Sequence, residues 1–147
     1  MSLSRLVYFS DNKMDAGGRS ARMADLQRVA VNRNRRRHIT GALIYDDRWF
    51  AQTLEGELEA VQETFGLIAG DPRHANVTIM GTTAVSERLF GDWSMGFATR
   101  TRETQALFGL HWFNTSMNPR LMSEQSILKL MVELARQGFM GPRRAAA

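Results

Sequence analysis

A chain of 147 residues with 44% hydrophobic and 23% charged side chains is long enough to bury a core as one domain with a short appendage, and none of its apolar runs is long enough to cross a membrane. It has no cysteine, which excludes a disulfide framework, a thiolate nucleophile and a sulfur metal site. The net charge of +4 is modest, but Arg33, Arg35, Arg36 and Arg37 concentrate positive charge at one place. The first residues, Met-Ser-Leu-Ser-Arg, lead into a strand-like run without a signal peptide's apolar segment, so a cytoplasmic protein is expected.

The run Arg5 to Ser10 predicts a strand with Leu6 and Tyr8 on one face and Val7 and Phe9 on the other. Asp11 to Gly18 is turn-forming. Ser20 is expected to cap a helix reaching about Asn34, with Met23, Leu26 and Ala30 on one side. Two strands follow, Thr40 to Tyr45 and Trp49 to Leu54, joined by a hairpin turn at Asp46-Asp47-Arg48. A second helix is predicted from about Leu58 to Ala69, with Leu58, Val61, Phe65 and Ile68 inward and Gly70 as its stop. Val77 to Thr82 and Asp92 to Ala98 read as the last two strands. The order βαββαββ predicts an α+β fold, a ferredoxin-like sheet with two helices on one face. Beyond Thr101, Ser123 is placed to cap a further helix whose Ile127, Leu130, Met131 and Leu134 form an apolar stripe. That stripe must be buried against the sheet's open face, a second subunit or a partner. The chain is thus expected to divide into a domain at 1–100, a C-terminal helical extension at 101–140 and a frayed tail at 141–147.

Several polar residues stand where burial is expected. Gln52 alternates with Phe50 and Leu54, so its amide shares a face with residues that want burial and needs partners for its donors and acceptor. Tyr8 on the inner face needs a partner for its hydroxyl, and Gln52 is the one within reach. Asn34 ends a helix, where asparagine often serves only as a terminator. Arg73 offers a planar fork for a carbonyl or phosphate, and Asp71 can hold hydroxyls, although Asp-Pro is also common turn punctuation. Trp93 and Met95 alternate in the last predicted strand and are expected on the same side. His38, His74 and His111 are too scattered to argue a metal site, and there is no glycine-rich phosphate loop. The arginine cluster reads either as a solvated helix end or as a contact for phosphate.

Five strings in order carry a resemblance. They are Tyr8-Phe9-Ser10, Asn34 followed by Thr40-Gly41, Phe50-Ala51-Gln52-Thr53-Leu54-Glu55-Gly56, Asp71-Pro72-Arg73-His74, and Trp93-Ser94-Met95-Gly96-Phe97. Together they resemble the BLUF family of blue-light-sensing flavin domains, from about residue 4 to residue 98. The resemblance implies a flavin, FAD with FMN as the alternative, bound without a covalent bond between the two helices and over the sheet. It implies that Asn34 and Arg73 hold the pyrimidine side of the ring and that Gln52 bonds near N5 and O4 with Tyr8 behind it. Phe50, Asp71 and His74 complete the surroundings, and Trp93 and Met95 lie on the strand that carries the signal away. The implied mechanism is a light-driven transfer of an electron and a proton from Tyr8, whose return leaves Gln52 rearranged by rotation or tautomerisation. No substrate is turned over, so no enzyme is expected.

The sequence departs from the family pattern at two places. Ala30-Val31-Asn32-Arg33-Asn34 stands where Ser-Arg-x-Asn-Asn is common, and His38 stands where glycine is frequent. The expected output is a contact with an effector protein or a change in homo-oligomeric assembly made by residues 99–140, with no membrane and no specific nucleic acid as partner. Two other readings are a small ferredoxin-like enzyme (an acyl-phosphate hydrolase using Arg73 and Asn34, or a flavin reductase) and a nucleic-acid-binding module built on the arginine cluster. The sheet lacks the paired aromatics that RNA readers stack on bases.

Overall fold

The structure is a computed structural model in which residues 2–14, 17–111 and 119–144 are described. Strand β1 (Leu3–Asn12) is longer than its apolar run, because it lies inside the sheet and finds partners on both edges. It pairs antiparallel with β3 (Trp49–Glu57) from Leu3↔Glu57 to Asp11↔Trp49, and with β4 (His74–Val85) from Leu3↔Val85 to Asn12↔His74. Helix α1 (Arg19–Arg36) begins one residue before the expected cap. Gly18, not Ser20, holds the N-cap position, at φ 74° in the left-handed region that glycine enters without steric cost. Strand β2 (Thr40–Tyr45) pairs antiparallel with β3, and helix α2 is Leu58–Ala69.

The last strand is shorter than predicted. Strand β5 is Gly96–Thr99, and it adds to β2 in parallel. Residues 91–95 form a turn, with the Trp93 amide donating to the Phe90 carbonyl at 3.0 Å. The sheet order β4-β1-β3-β2-β5 is a ferredoxin-like four-strand arrangement with one strand added at its edge. Two helices follow, α3 (Gln105–His111) and α4 (Glu124–Arg136), the latter capped by Ser123 as expected, with its hydroxyl accepting from the Ser126 amide.

Each face of the sheet is covered. Leu6, Tyr8, Leu43, Phe50 and Leu54 pack with Met23, Leu26, Ala30, Val61 and Ile68 of α1 and α2. Within α2, Leu58 is exposed and Thr64 is buried in its stead, because the inward face runs through Val61, Thr64 and Ile68. On the opposite face Val7, Phe9, Ala42, Ile44 and Ala51 meet Ile127, Leu130, Met131 and Leu134 of α4. All four stripe residues are fully buried. The stripe is therefore spent on the sheet and offers no free apolar surface for a second subunit. The tail expected to fray from Gly141 is held through Arg144: Phe97 and Gly141 exchange backbone hydrogen bonds, and the Arg144 amide donates to the Asp92 carbonyl at 2.7 Å. Residues 145–147 lie outside the described residues.

One buried carboxylate organises the segment before β5. Glu55 is fully buried in β3 and accepts from Arg5 Nε at 3.0 Å, Thr40 Oγ1 at 3.2 Å and the amides of Leu89 and Phe90 at 2.8 and 3.0 Å. Four donors on one carboxylate offset its desolvation. They also anchor residues 89–90, from which the chain turns towards Met95.

Candidate functional site

A narrow cleft opens between α1 and α2. Its floor is Leu43, Gln52 and Phe97 of the sheet; Leu26, Ala30 and Arg33 form the α1 wall, and Ile68 of α2 faces them. Asp71, Arg73 and His74, from the turn after α2 and the start of β4, close one end. Apolar walls with a few convergent polar groups are the usual makeup of a small-molecule site.

Gln52 sits in that floor between two fixed partners. Its Oε1 accepts a hydrogen bond from the Tyr8 hydroxyl, and its Nε2 donates to Met95 Sδ at 3.3 Å. A thioether can only accept, so Met95 favours the amide orientation that points nitrogen towards it. Tyr8 is fully buried opposite Gln52 in the β1–β3 register, with the Phe65 ring edge-on at 5.5 Å. Burial pushes its phenol well above the ordinary tyrosine value, an effect that Arg33 opposes and Asp71 reinforces. Tyr8 is therefore a neutral hydrogen-bond donor that does not ionise at any ordinary pH.

Asn34 is fully buried. Its Nδ2 donates to the Ser94 carbonyl at 2.9 Å, but among the described residues its Oδ1 has no partner, and neither has the buried Nε of Arg33. Arg33 lines the cleft, whereas Asn34 lies one residue on and is not among its lining residues; an orphaned donor and an orphaned acceptor on adjacent residues are groups that a polar ring edge could satisfy. Arg73 grips Asp71 with Nε at 3.0 Å and Nη2 at 2.6 Å, and Asp71 Oδ1 also accepts the Arg73 amide. Burial raises the Asp71 carboxyl, but these hydrogen bonds and the Arg73 charge outweigh it and hold the group below the usual aspartate range. His74 bonds the Ser10 hydroxyl through Nδ1 at 2.7 Å and packs on Phe50 at 4.4 Å between ring centres. Burial, aided by Arg73 and Arg33 and opposed by Asp71, lowers its pKa to about 4, so the ring is neutral at pH 7.

Trp93 and Met95 do not share a side. Because the chain turns at 91–95 instead of running extended, strand alternation does not apply there. Met95 enters the helix-side core beside Gln52, whereas Trp93 joins the α4-side core and donates from Nε1 to the Met140 carbonyl at 3.2 Å. Phe50 is fully buried beneath His74 and does not line the cleft. Arg33 was missed as a lining residue. Continuing the face of Leu26 and Ala30 by one further helical step would have found it. The arginine cluster does not act as one surface: Arg33 turns into the cleft, Arg35 and Arg36 are exposed, and Arg37 reaches Thr64 of α2 at 3.5 Å.

The cleft and its amide–phenol pair belong to a known class of flavin photosensor. The profile of the family described as "BLUF: Sensors of blue-light using FAD" matches residues 3–96. The chain belongs to that family, its cofactor is FAD, and its function is blue-light sensing. Among similar proteins, the photoactivated adenylate cyclase subunit beta of Euglena gracilis is 33% identical over 94 residues, 64% of this chain and 11% of that protein. The chain thus spans about a tenth of the length of such curated relatives. The solved structure of BlsA in its photo-activated state has a TM-score of 0.81 at 28% identity and covers 98% of this chain and 99% of its own. The dark-state structure of BlrB, a BLUF protein, has a TM-score of 0.74 at 30% identity, covering 90% and 96%. Neither the hydrolase reading nor the nucleic-acid reading finds support in these relatives.

Proposed function

We propose that Tyr8, Gln52 and Met95 form the photoactive switch, and that Asn34, Arg33, Arg73, Asp71 and His74 hold the flavin around it. The single observation that carries this reading is the Gln52 amide, held between a phenol donor and a thioether acceptor in the floor of a cleft that Arg33, with its unsatisfied Nε, also lines. When bound, the flavin supplies blue-light absorption and, once excited, a strong oxidant. Tyr8 would give an electron and its hydroxyl proton to that oxidant and later recover both, and Gln52, already bonded to that proton, is the group placed to relay it. Once the Tyr8 hydroxyl no longer donates, Oε1 loses the partner that fixed it and the amide can turn or change tautomer. A turned amide would point Oε1 at Met95 Sδ, two acceptors facing one another, so Met95 must shift and the change leaves the core. The neutral His74 and the clasped Asp71–Arg73 pair supply fixed dipoles that do not titrate near pH 7.

Residues 1–100 would be the flavin-binding unit and residues 101–140 an extension that reads its state, acting on a protein effector or a second copy of the chain. The naming of the Euglena relative as a photoactivated cyclase supports output to a protein activity. The unit itself turns over no substrate. No described helix is long and apolar enough to cross a membrane. The test is optical: protein purified in the dark should carry bound FAD and shift reversibly to the red under blue light. A colourless protein with a melting temperature indifferent to added FAD would overturn the site assignment.

A further inference from the structure

We propose that a second pocket, separate from the flavin cleft, binds the phosphate group of a small molecule. It has a cavity volume of about 240 Å³ and is lined by Arg35, His38, Ile39, Arg88, Ser94 and Arg144, so it shares no lining residue with the cleft and none of its own is acidic. Four chain segments converge there: the end of α1, the turn into β2, the connection before β5 and the C-terminal segment.

Among the described residues, the arginines of this pocket are bonded only to neutral acceptors. Arg35 Nη2 donates to Asn32 Oδ1 at 3.1 Å, Arg88 Nη1 to Thr40 Oγ1 at 2.9 Å and the Glu55 carbonyl at 3.0 Å, and Arg144 Nη1 to the Gly91 carbonyl at 3.1 Å. Among the described residues, two carboxylates lie close to these groups, and each faces another arginine. Glu55, behind Thr40, is matched to Arg5, and Asp92 faces Arg143 at 3.9 Å. Each guanidinium keeps further N–H donors beyond the bonds named, in a fork that fits an oxyanion. Three such forks call for more than one negative charge, which favours a phosphate over a monocarboxylate. The negative pole of α1 opposes an anion here, but it is blunted because the Asn34 carbonyl already accepts from Arg37 and Ile39 and the Arg35 carbonyl from His38. The pocket also touches the switch: Arg33 lines the cleft, Arg35 lines the pocket, and Asn34 between them bonds Ser94, next to Met95.

The test is calorimetric titration of the flavin-loaded full chain with inorganic phosphate, pyrophosphate and adenosine monophosphate. The expected result is saturable one-to-one binding that Arg35→Gln and Arg144→Gln each weaken roughly tenfold, with unchanged melting temperatures. Arg36→Gln removes an equal charge from the same helix end outside the pocket and should leave affinity unchanged. Tighter binding of the monophosphate than of inorganic phosphate would assign a nucleotide, and the reverse order a free phosphate; either supports the site. Absence of saturable binding at millimolar ligand overturns the proposal. So does an equal loss in Arg36→Gln, which would mean diffuse charge, and so does binding confined to flavin-free protein, which would mean the cofactor's own diphosphate occupies the pocket.

Discussion

Gln52 is a side chain whose two ends are chemically distinct and whose two neighbours read them differently. Tyr8→Phe removes the donor to Oε1 while preserving the ring and its packing, so flavin should stay bound and the light-induced red shift should vanish. The orphaned Oε1 should cost about 1–3 kcal/mol in urea unfolding. A Tyr8→Phe protein that still forms a long-lived red-shifted state would pass the donor's role to another residue. His74 makes a second prediction. Its folded pKa of about 4 lies below the ordinary value of 6.5, so between those values the unfolded chain binds the extra proton. The contribution is complete above pH 6.5 and is lost as pH falls towards 4, by up to about 3 kcal/mol. Stability curves of His74→Phe should be flatter across that window than those of the native chain, and identical slopes would show that His74 does not govern it.

Between residues and fold, short motifs act as joints. The Thr40-Gly41 and Leu54-Glu55-Gly56 strings face each other across β2 and β3, where Thr40 pairs with Glu55 and Gly41 with Leu54. A side-chain carbon on Gly41 would collide with the Thr53 carbonyl and crowd Met95 Cε. Glu55 is the stronger joint. Glu55→Ala leaves Arg5 without its partner and frees the amides of Leu89 and Phe90, and it should destabilise the fold by about 3–5 kcal/mol in denaturant titration. Because residues 89–90 lead to Met95, the same variant should alter the rate of dark recovery even where flavin still binds. His38 sits at φ 56°, in the left-handed region, which accounts for the glycine frequent there in the family. His38→Gly should raise unfolding stability by about 0.5–1 kcal/mol, the relief of a left-handed side chain being offset in part by glycine's greater freedom when unfolded.

Across the whole molecule, the two cores are joined at one short stretch. Met95 belongs to the core under α1 and α2, Trp93 to the core under α4, and the Trp93 indole is tied to Met140. A shift of Met95 is therefore expected to reach the Phe97–Gly141 bridge before it reaches α4 itself. Hydrogen exchange compared in dark and light should change most at residues 93–97 and 139–144, and unchanged protection there would place the exit elsewhere. Since α4 covers Val7, Phe9, Ile44 and Trp93, truncation after residue 100 should yield an aggregating product, read by light scattering, instead of a soluble sensor.

The alternating and helical runs were sufficient to place β1, β2, β3 and α2 close to their observed bounds, because local burial pattern and turn chemistry agree there. They were also sufficient to align Tyr8 with Gln52, since strand alternation puts both on the inner face and neither can be left unsatisfied. Three features needed the tertiary structure. The parting of Trp93 from Met95 depends on a turn whose anchor, Glu55, lies more than thirty residues earlier in the chain. The face of Arg33 follows from helical spacing, but that this face lines an open cleft instead of the core depends on the gap left between α1 and α2. The burial of the Ile127–Leu134 stripe depends on which apolar surface lies opposite it, and periodicity along one helix carries no information about its partner: it dictates that a face must be covered, while only the assembled sheet decides by what.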